Sequence, residues 1–176
     1  NTGIQRMSGL VSNLLSLAKM EDSSRGISLS PIRIDKLLDN IIEPMMPLFQ
    51  EKSITIYYEI PQLVLYSDPD LLTQVMTILL DNALKYTPEK GEVAVNAFSD
   101  KAELLITVGN SAVIPAQDLP NIFDRFYRGD YARSADQGSF GLGLAIAQTC
   151  VNRLGGKITA NSENGQTIFT VAVRLR

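Results

Sequence analysis

Between Asp70 and Tyr86 the sequence places apolar residues at Leu72, Val75, Met76, Leu79, Leu80 and Ala83, the spacing of one helix face. An isolated helix of this length is marginal in water, so such a stripe needs another element to cover it. Asp68 or Asp70 starts the helix, and Pro88 lies just beyond its end near Tyr86. A second helix follows Asp35, read as its N-cap, and carries Leu37, Leu38, Ile41, Ile42, Met45, Met46 and Leu48. Gly141 to Leu154 is helical as well. The segments between them change period. Ile27 to Ile34 alternates around Pro31 and reads as a short edge strand. Ile54 to Ile60 and Leu63 to Tyr66 are strands. Val93 to Phe98 and Glu103 to Val108 pair across Ser99-Asp100-Lys101. Lys157 to Ala160 and Thr167 to Leu175 close as a hairpin over Asn164-Gly165. The pattern predicts an α+β fold: a two-layer α/β sandwich, with a mixed sheet of about five strands packed on three helices.

One amphipathic helix precedes this body. Met7, Leu10, Val11, Leu14, Leu15 and Ala18 form its stripe, and Glu21 to Gly26 end it. The stripe serves either self-association with a missing partner helix or packing on the body of the same chain. The opening residues, Asn1 to Leu10, enter the helical pattern at once, as if the chain were cut inside an element.

Composition removes several classes of function. At 176 residues, with 45% hydrophobic and 20% charged, the chain suits one domain with an appended element, not wholesale disorder. The net charge of −3 supplies no general basic surface for nucleic acid. There is no His, which excludes His acid/base catalysis and His-ligated metals within the chain. The lone Cys150 sits in an apolar helical run and reads as a buried small residue, not a nucleophile. No apolar run approaches the roughly 20 residues of a membrane helix, and no signal peptide opens the chain.

Three features carry chemistry. On the Asp70–Tyr86 helix, Gln74, Asn82 and Lys85 lie off the apolar stripe, with Asn82 and Lys85 one turn apart. Asn is a poor mid-helix residue. Its amide oxygen can ligate Mg²⁺, and a Lys one turn away can meet phosphate; the plain alternative is a solvated flank. Second, Gly138-Ser-Phe-Gly141-Leu-Gly143-Leu-Ala opens a helix, where backbone N–H groups can approach an anion. It matches neither a Walker loop nor the dinucleotide fingerprint. Third, Ile122-Phe-Asp-Arg125-Phe-Tyr-Arg128 lies in the long mixed segment 111–139. Its aromatics can anchor a loop while an Arg reaches a phosphate. The plain alternative is a loop pinned by Phe123 and Phe126 with solvated arginines.

In this order the three features resemble the catalytic, ATP-binding domain of bacterial sensor histidine kinases, in the superfamily that also holds gyrase-type ATPases. LLDNALKYTPEKGEV is similar to the family's N box, IFDRFYRGD to its F box, GSFGLGLAIAQ to its second glycine box and GGKITANSENGQTIFTV to its closing hairpin. The opening IQRMSGLVSNLLSLAKMED resembles the second helix of the dimerisation and phosphoacceptor domain. The resemblance implies two parts: 1–25, the truncated dimerisation helix, and 27–176, the catalytic domain. It implies ATP and Mg²⁺ as cofactors. Asn82 would hold Mg²⁺, Lys85 would contact phosphate, Tyr86 would lie by the nucleotide and Arg128 would reach the γ-phosphate; Asn82, Lys85 and Arg128 form its catalytic set. Asn110, Ile114, Gly138, Gly141, Leu142, Gly143, Leu144 and Thr167 complete the implied nucleotide site. Electrostatic stabilisation and positioning would then do most of the work.

The sequence departs from that family in three places. The phosphoacceptor His is absent, and so is the helix expected to bear it, which a cut inside the next helix explains better than a degenerate kinase; this chain cannot phosphorylate itself on His in either case. Ile78 replaces an Asn that often sits one turn before the metal-binding Asn. In the first glycine box the usual Asp, which binds the adenine amino group, becomes Gly109 or Asn110 according to where a one-residue gap is placed. A lost buried polar contact of this type costs on the order of 1–3 kcal/mol, roughly ten- to a hundredfold in affinity. The expectation is weak nucleotide binding with relaxed base preference. Two classes of function follow. One is the ATP-binding domain of a sensor kinase, donating a γ-phosphoryl group to a His for relay to a response regulator Asp. The other is a degenerate binding or scaffolding module with weak or no turnover. The first implies a response-regulator receiver domain as partner, a homodimer through the N-terminal helix, no nucleic acid, and a cytoplasmic position in a membrane-anchored parent.

Overall fold

The computed structural model describes residues 2–22, 24–129 and 140–175. In chain order it contains α1 (Thr2–Glu21), β1 (Ser30–Arg33), α2 (Ile34–Glu51), β2 (Thr55–Tyr58), β3 (Val64–Ser67), α3 (Pro69–Tyr86), β4 (Glu92–Asp100) and β5 (Glu103–Asn110). A 3-10 turn at Leu119–Asn121, α4 (Gly143–Arg153), β6 (Lys157–Glu163) and β7 (Gln166–Arg174) follow. Five strands form a mixed sheet in the order β2-β4-β5-β7-β6. β2 runs parallel to β4, and the remaining pairs are antiparallel. Asn164 and Gly165 both have positive φ, 53° and 78°, as the two-residue turn between β6 and β7 requires.

Side chains alternate across this sheet. Val93, Val95, Leu104, Ile106, Val108, Phe169, Val171 and Val173 are buried on one face. Asn96, Phe98 and Ile168 are exposed on the other. An antiparallel sheet tolerates one solvated face, so all three core helices cover the same side. α3 packs against both α2 and α4. Its residues Leu72, Val75, Met76 and Leu80 are fully buried, each worth about 1.5–3 kcal/mol against exposure. α2 runs unbroken through Pro44 and Pro47. A mid-helix Pro costs about 3 kcal/mol or more, and complete burial of Ile42 and Phe49 on either side offsets it.

Two local expectations are corrected. Asp35 does not cap α2. The cap position is Arg33, with no side-chain cap bond, and the helix starts at Ile34. The Asp35 carboxylate instead accepts from the Arg33 guanidinium at 2.6 Å, which holds its pKa below the usual carboxylate value. Ile34 N–H donates to Leu63 O at 2.9 Å and ties the helix start to the residue that precedes β3. The strand expected over Ile27 to Ile34 is confined to Ser30–Arg33. It pairs antiparallel with β3 in a separate two-stranded sheet, Ser30 opposite Ser67 and Arg33 opposite Val64. Pro31 offers no N–H to a central ladder.

α1 divides its apolar residues between two surroundings. Leu17 is buried, Leu10 and Met20 pack against the core, and the helix lies on α4. Met7, Val11 and Leu15 stay exposed, at 69%, 52% and 54%. Two arginines hold its end: Arg125 pairs with Glu21, and Arg153 donates to the Arg25 carbonyl.

Cys150 is fully buried on α4, as its sequence setting predicts. Burial pushes its thiol up to about 11 from an ordinary 9.0. The folded state therefore keeps a proton that the unfolded chain loses first, and this contribution to stability is lost as pH rises from about 9 to about 11. A thiol reagent at pH 8 is expected to leave the native protein unlabelled and to label it in denaturant. Cys150→Ala should remove this part of the alkaline decline in urea-melt midpoint.

Candidate functional site

Burying one face of α3 aims the opposite face outward. Gln74, Ile78, Asn82 and Lys85, with Asp81 and Tyr86, line a cavity of ≈ 260 Å³. Both ends of the helix are held. The Asp68 carboxylate accepts from the N–H groups of Asp70 and Leu71 at 3.0 and 3.1 Å. At the C-terminus, Lys52 Nζ donates to the carbonyls of Leu84 at 2.6 Å and of Lys85 and Thr87 at 3.3 Å. These are carbonyls a helix end leaves without intrahelical partners. Lys52 thus braces the turn that carries Asn82, Lys85 and Tyr86. Asp81 pairs with Lys85 at 3.1 Å.

The floor of the cavity comes from the sheet. Asn110 at the end of β5 lies directly opposite Thr167 at the start of β7. Both are buried, at 8% and 1% exposure, and both line the cavity. Thr167 Oγ1 donates to Ala112 O at 2.7 Å, so its one proton is spent. Ser162 Oγ, 2.9 Å from Thr167 Oγ1, must then be the donor in that pair, and it accepts from Ile114 N–H at 2.9 Å. This relay fastens the segment 112–114 to the β6–β7 hairpin. Asn110 continues the buried alternation of Leu104, Ile106 and Val108, whereas Gly109 points to the other side of the sheet, where a Cβ would meet Ile168. Ile114, Ile122, Ile146 and Phe169 make the deep wall apolar.

The third side is the turn into α4. Phe126 N–H donates to Gly141 O at 2.9 Å. Both residues have positive φ, 63° and 71°. A Cβ at Gly141 would lie 2.6 Å from Tyr127 O, so only glycine fits. The Tyr127 hydroxyl donates to the Asp118 carboxylate and holds the loop from its other side. Leu142, at the cap position of α4, makes no side-chain cap bond, and no acidic residue occupies the first turn. Among the described residues no side chain takes the first N–H groups of α4, whose partial positive charge suits an anion at the cavity edge, beside Gly141, Leu142, Gly143 and Leu144. Ile78 packs here, where a Cβ on Gly143 would lie 3.5 Å from its Cγ2.

The cavity therefore gathers Asn82, Lys85, Tyr86, Asn110, Ile114, Arg128, Gly141, Leu142, Gly143, Leu144 and Thr167. Gly138 lies outside the described residues, as does the rest of the long segment beyond 129. Of the two F-box arginines Arg128 lines the cavity, while Arg125 turns to Glu21. Phe123 makes an edge contact with Phe169 at 6.3 Å, but Phe126, read as a second anchor, is 57% exposed. Asn13 and Ser16 of α1 also reach the cavity, and no motif marks them. Among the described residues no group of three or more His, Cys, Asp or Glu gathers to hold a metal. A cation here would take one oxygen from Asn82 and the rest from bound phosphate and water, which suits Mg²⁺. The arrangement has an apolar slot with a polar floor for a flat ring, and a cationic, N–H-rich mouth for phosphates.

Two substitutions test this scaffold. Gly141→Ala should lower stability by at least about 1 kcal/mol, seen as a lower urea midpoint, while Gly143→Ala, whose Cβ meets ordinary contact distance, should fold normally. Lys52→Met removes a charged donor from three carbonyls. It should cost about 1.5–3 kcal/mol in the same assay.

Residues 67–176 match the family model described as histidine kinase-, DNA gyrase B-, and HSP90-like ATPase. The chain is 36% identical over 167 residues to the sensor histidine kinase WalK of Bacillus subtilis, covering 92% of this chain and 27% of that protein. It is 42% identical over 112 residues to the sensor protein CiaH of Streptococcus pneumoniae, covering 62% of this chain and 25% of that protein. The chain thus spans about a quarter of the length of these curated relatives. Among solved structures, the Acinetobacter baumannii histidine kinase AdeS superposes with a TM-score of 0.82 at 18% identity, covering 98% of this chain and 80% of that one. ThkA, solved in complex with the response regulator TrrA, gives 0.82 at 18% identity, covering 98% and 49%.

Proposed function

The chain belongs to the histidine kinase-, DNA gyrase B-, and HSP90-like ATPase family, and we propose that it is the Mg-ATP-binding catalytic part of a sensor histidine kinase. One observation carries this reading. Asn82, Lys85, Arg128 and the uncapped start of α4 meet around one cavity whose far end is apolar over a polar floor. The base enters the slot between Ile114, Ile122, Ile146 and Phe169. The triphosphate lies toward Lys85, Arg128 and the α4 N–H groups. Asn82 would hold Mg²⁺, which when bound draws charge from the phosphate oxygens. Lys85, Arg128 and the helix start oppose the charge that spreads over the γ-phosphoryl oxygens as it leaves ADP. The chain has no His. The acceptor is then an imidazole nitrogen on another segment, which gains the phosphoryl group as the bond to ADP breaks and passes it to an Asp of a response-regulator receiver domain.

The same reading assigns 1–25 to the dimerisation helix and 27–176 to the catalytic domain. Met7, Val11 and Leu15, exposed together on α1, support a homodimer through that helix. Among the described residues no helix is long and apolar enough to cross a membrane; the anchor of the proposed parent would lie elsewhere, with this part on the cytoplasmic, ATP-containing side. Ile78 in the cavity wall favours a second reading, a binding module with weak or no turnover. Calorimetric titration with ATP and ADP, with and without Mg²⁺, decides between them. Saturable binding that Mg²⁺ strengthens and Asn82→Ala weakens at least tenfold is expected. No binding up to millimolar nucleotide would overturn the kinase reading and move the module ahead.

A further inference from the structure

The geometry points to a site that accepts 6-oxo as well as 6-amino purine nucleotides, with Asn110 as the residue that permits both. The inference rests on the nucleotide reading above and adds the identity of the base. The polar groups at the floor of the apolar slot are few, and most are engaged. Thr167 spends its proton on Ala112 O and receives Ser162, and Ser162 is filled by Thr167 and Ile114. That leaves the Asn110 side chain, more than nine-tenths buried and lining the cavity. Its Oδ1 accepts from Ala112 N–H at 3.4 Å, too long to fix the amide's orientation. Its Nδ2 makes no hydrogen bond among the described residues.

A side-chain amide carries an acceptor and a donor on one edge, and a half-turn about its last bond exchanges them. An adenine edge offers the N6 amino donor beside the N1 acceptor. A hypoxanthine or guanine edge offers the reverse, the O6 acceptor beside the N1–H donor. With oxygen toward the ring substituent Asn110 accepts from N6; turned over, it donates to O6. A carboxylate at the same place only accepts, and would set a negative oxygen against O6. Strong discrimination between two such ligands arises when one of them leaves a buried polar group unpaired. Here neither does.

The test is calorimetric titration of the chain with Mg-ADP and with Mg-IDP, the inosine diphosphate that differs from ADP only at the 6-position and its adjacent N1 proton. The expected result is a ratio of dissociation constants below ten. Asn110→Asp should widen that ratio to tenfold or more in favour of ADP, because the donor is gone. A tenfold or greater preference for ADP in the unaltered chain would overturn the inference and leave the nucleotide reading standing. So would an Asn110→Asp variant that melts normally and keeps the original ratio. Binding of neither nucleotide would remove both the inference and the reading it rests on.

Discussion

The one-sided burial of α3 is the constraint on which the rest depends. Its stripe from Leu71 to Ala83 is locked between α2, α4 and the sheet. With 3.6 residues per turn, the line Gln74, Ile78, Asn82 and Lys85 then has one direction left, into the cleft. An Asn mid-helix is tolerated because α3's stability comes from the other face. Asp68 and Lys52 fix the ends by satisfying backbone groups, so the polar line is held by elements that take no part in the cavity themselves.

The sheet supplies the second fixed side. The continuous antiparallel register of β4, β5 and β7 brings Asn110 opposite Thr167, two polar residues at the end of otherwise apolar strands. The hydroxyl relay from Ile114 through Ser162 and Thr167 to Ala112 then ties down a segment without regular secondary structure of its own. Backbone N–H and C=O groups that are shielded from water must find partners, and here two side-chain hydroxyls provide them for Ala112 and Ile114. The segment that has lost the family's glycines is held by side chains, with no need for left-handed backbone between Ser111 and Ile114.

Much of this was legible in sequence. Period 3.6 marked α2, α3 and α4, period 2 marked the strands, and Asn164-Gly165 marked the hairpin. The motifs along α3, the F box and the glycine turn named side chains that do share one cavity. What failed were local choices between competing partners. Asp35 has the composition of a cap, but Arg33 two residues away outbids the helix amides for its carboxylate. The segment before it is the edge strand that its alternation indicates, but only Ser30–Arg33 pairs, with β3, so its first three residues were overread. Phe126 reads as an anchor, yet it sits in left-handed backbone with its ring largely in solvent. Ile122, Ile146 and Phe169 line the cavity, and nothing in their spacing marks them for it.

The sequence by itself determined which faces must be buried, which turns must be glycine or asparagine, and which residues could bear charge near an anion, because periodicity and backbone sterics act locally. Tertiary structure alone decided that Asn110 meets Thr167 at the cavity floor, since that depends on the register of β5 against β7. It alone decided that α1 splits its stripe between α4 and solvent, and that Asn13 and Ser16 reach the cleft. Those outcomes depend on distances between residues far apart in the chain, which no local pattern encodes.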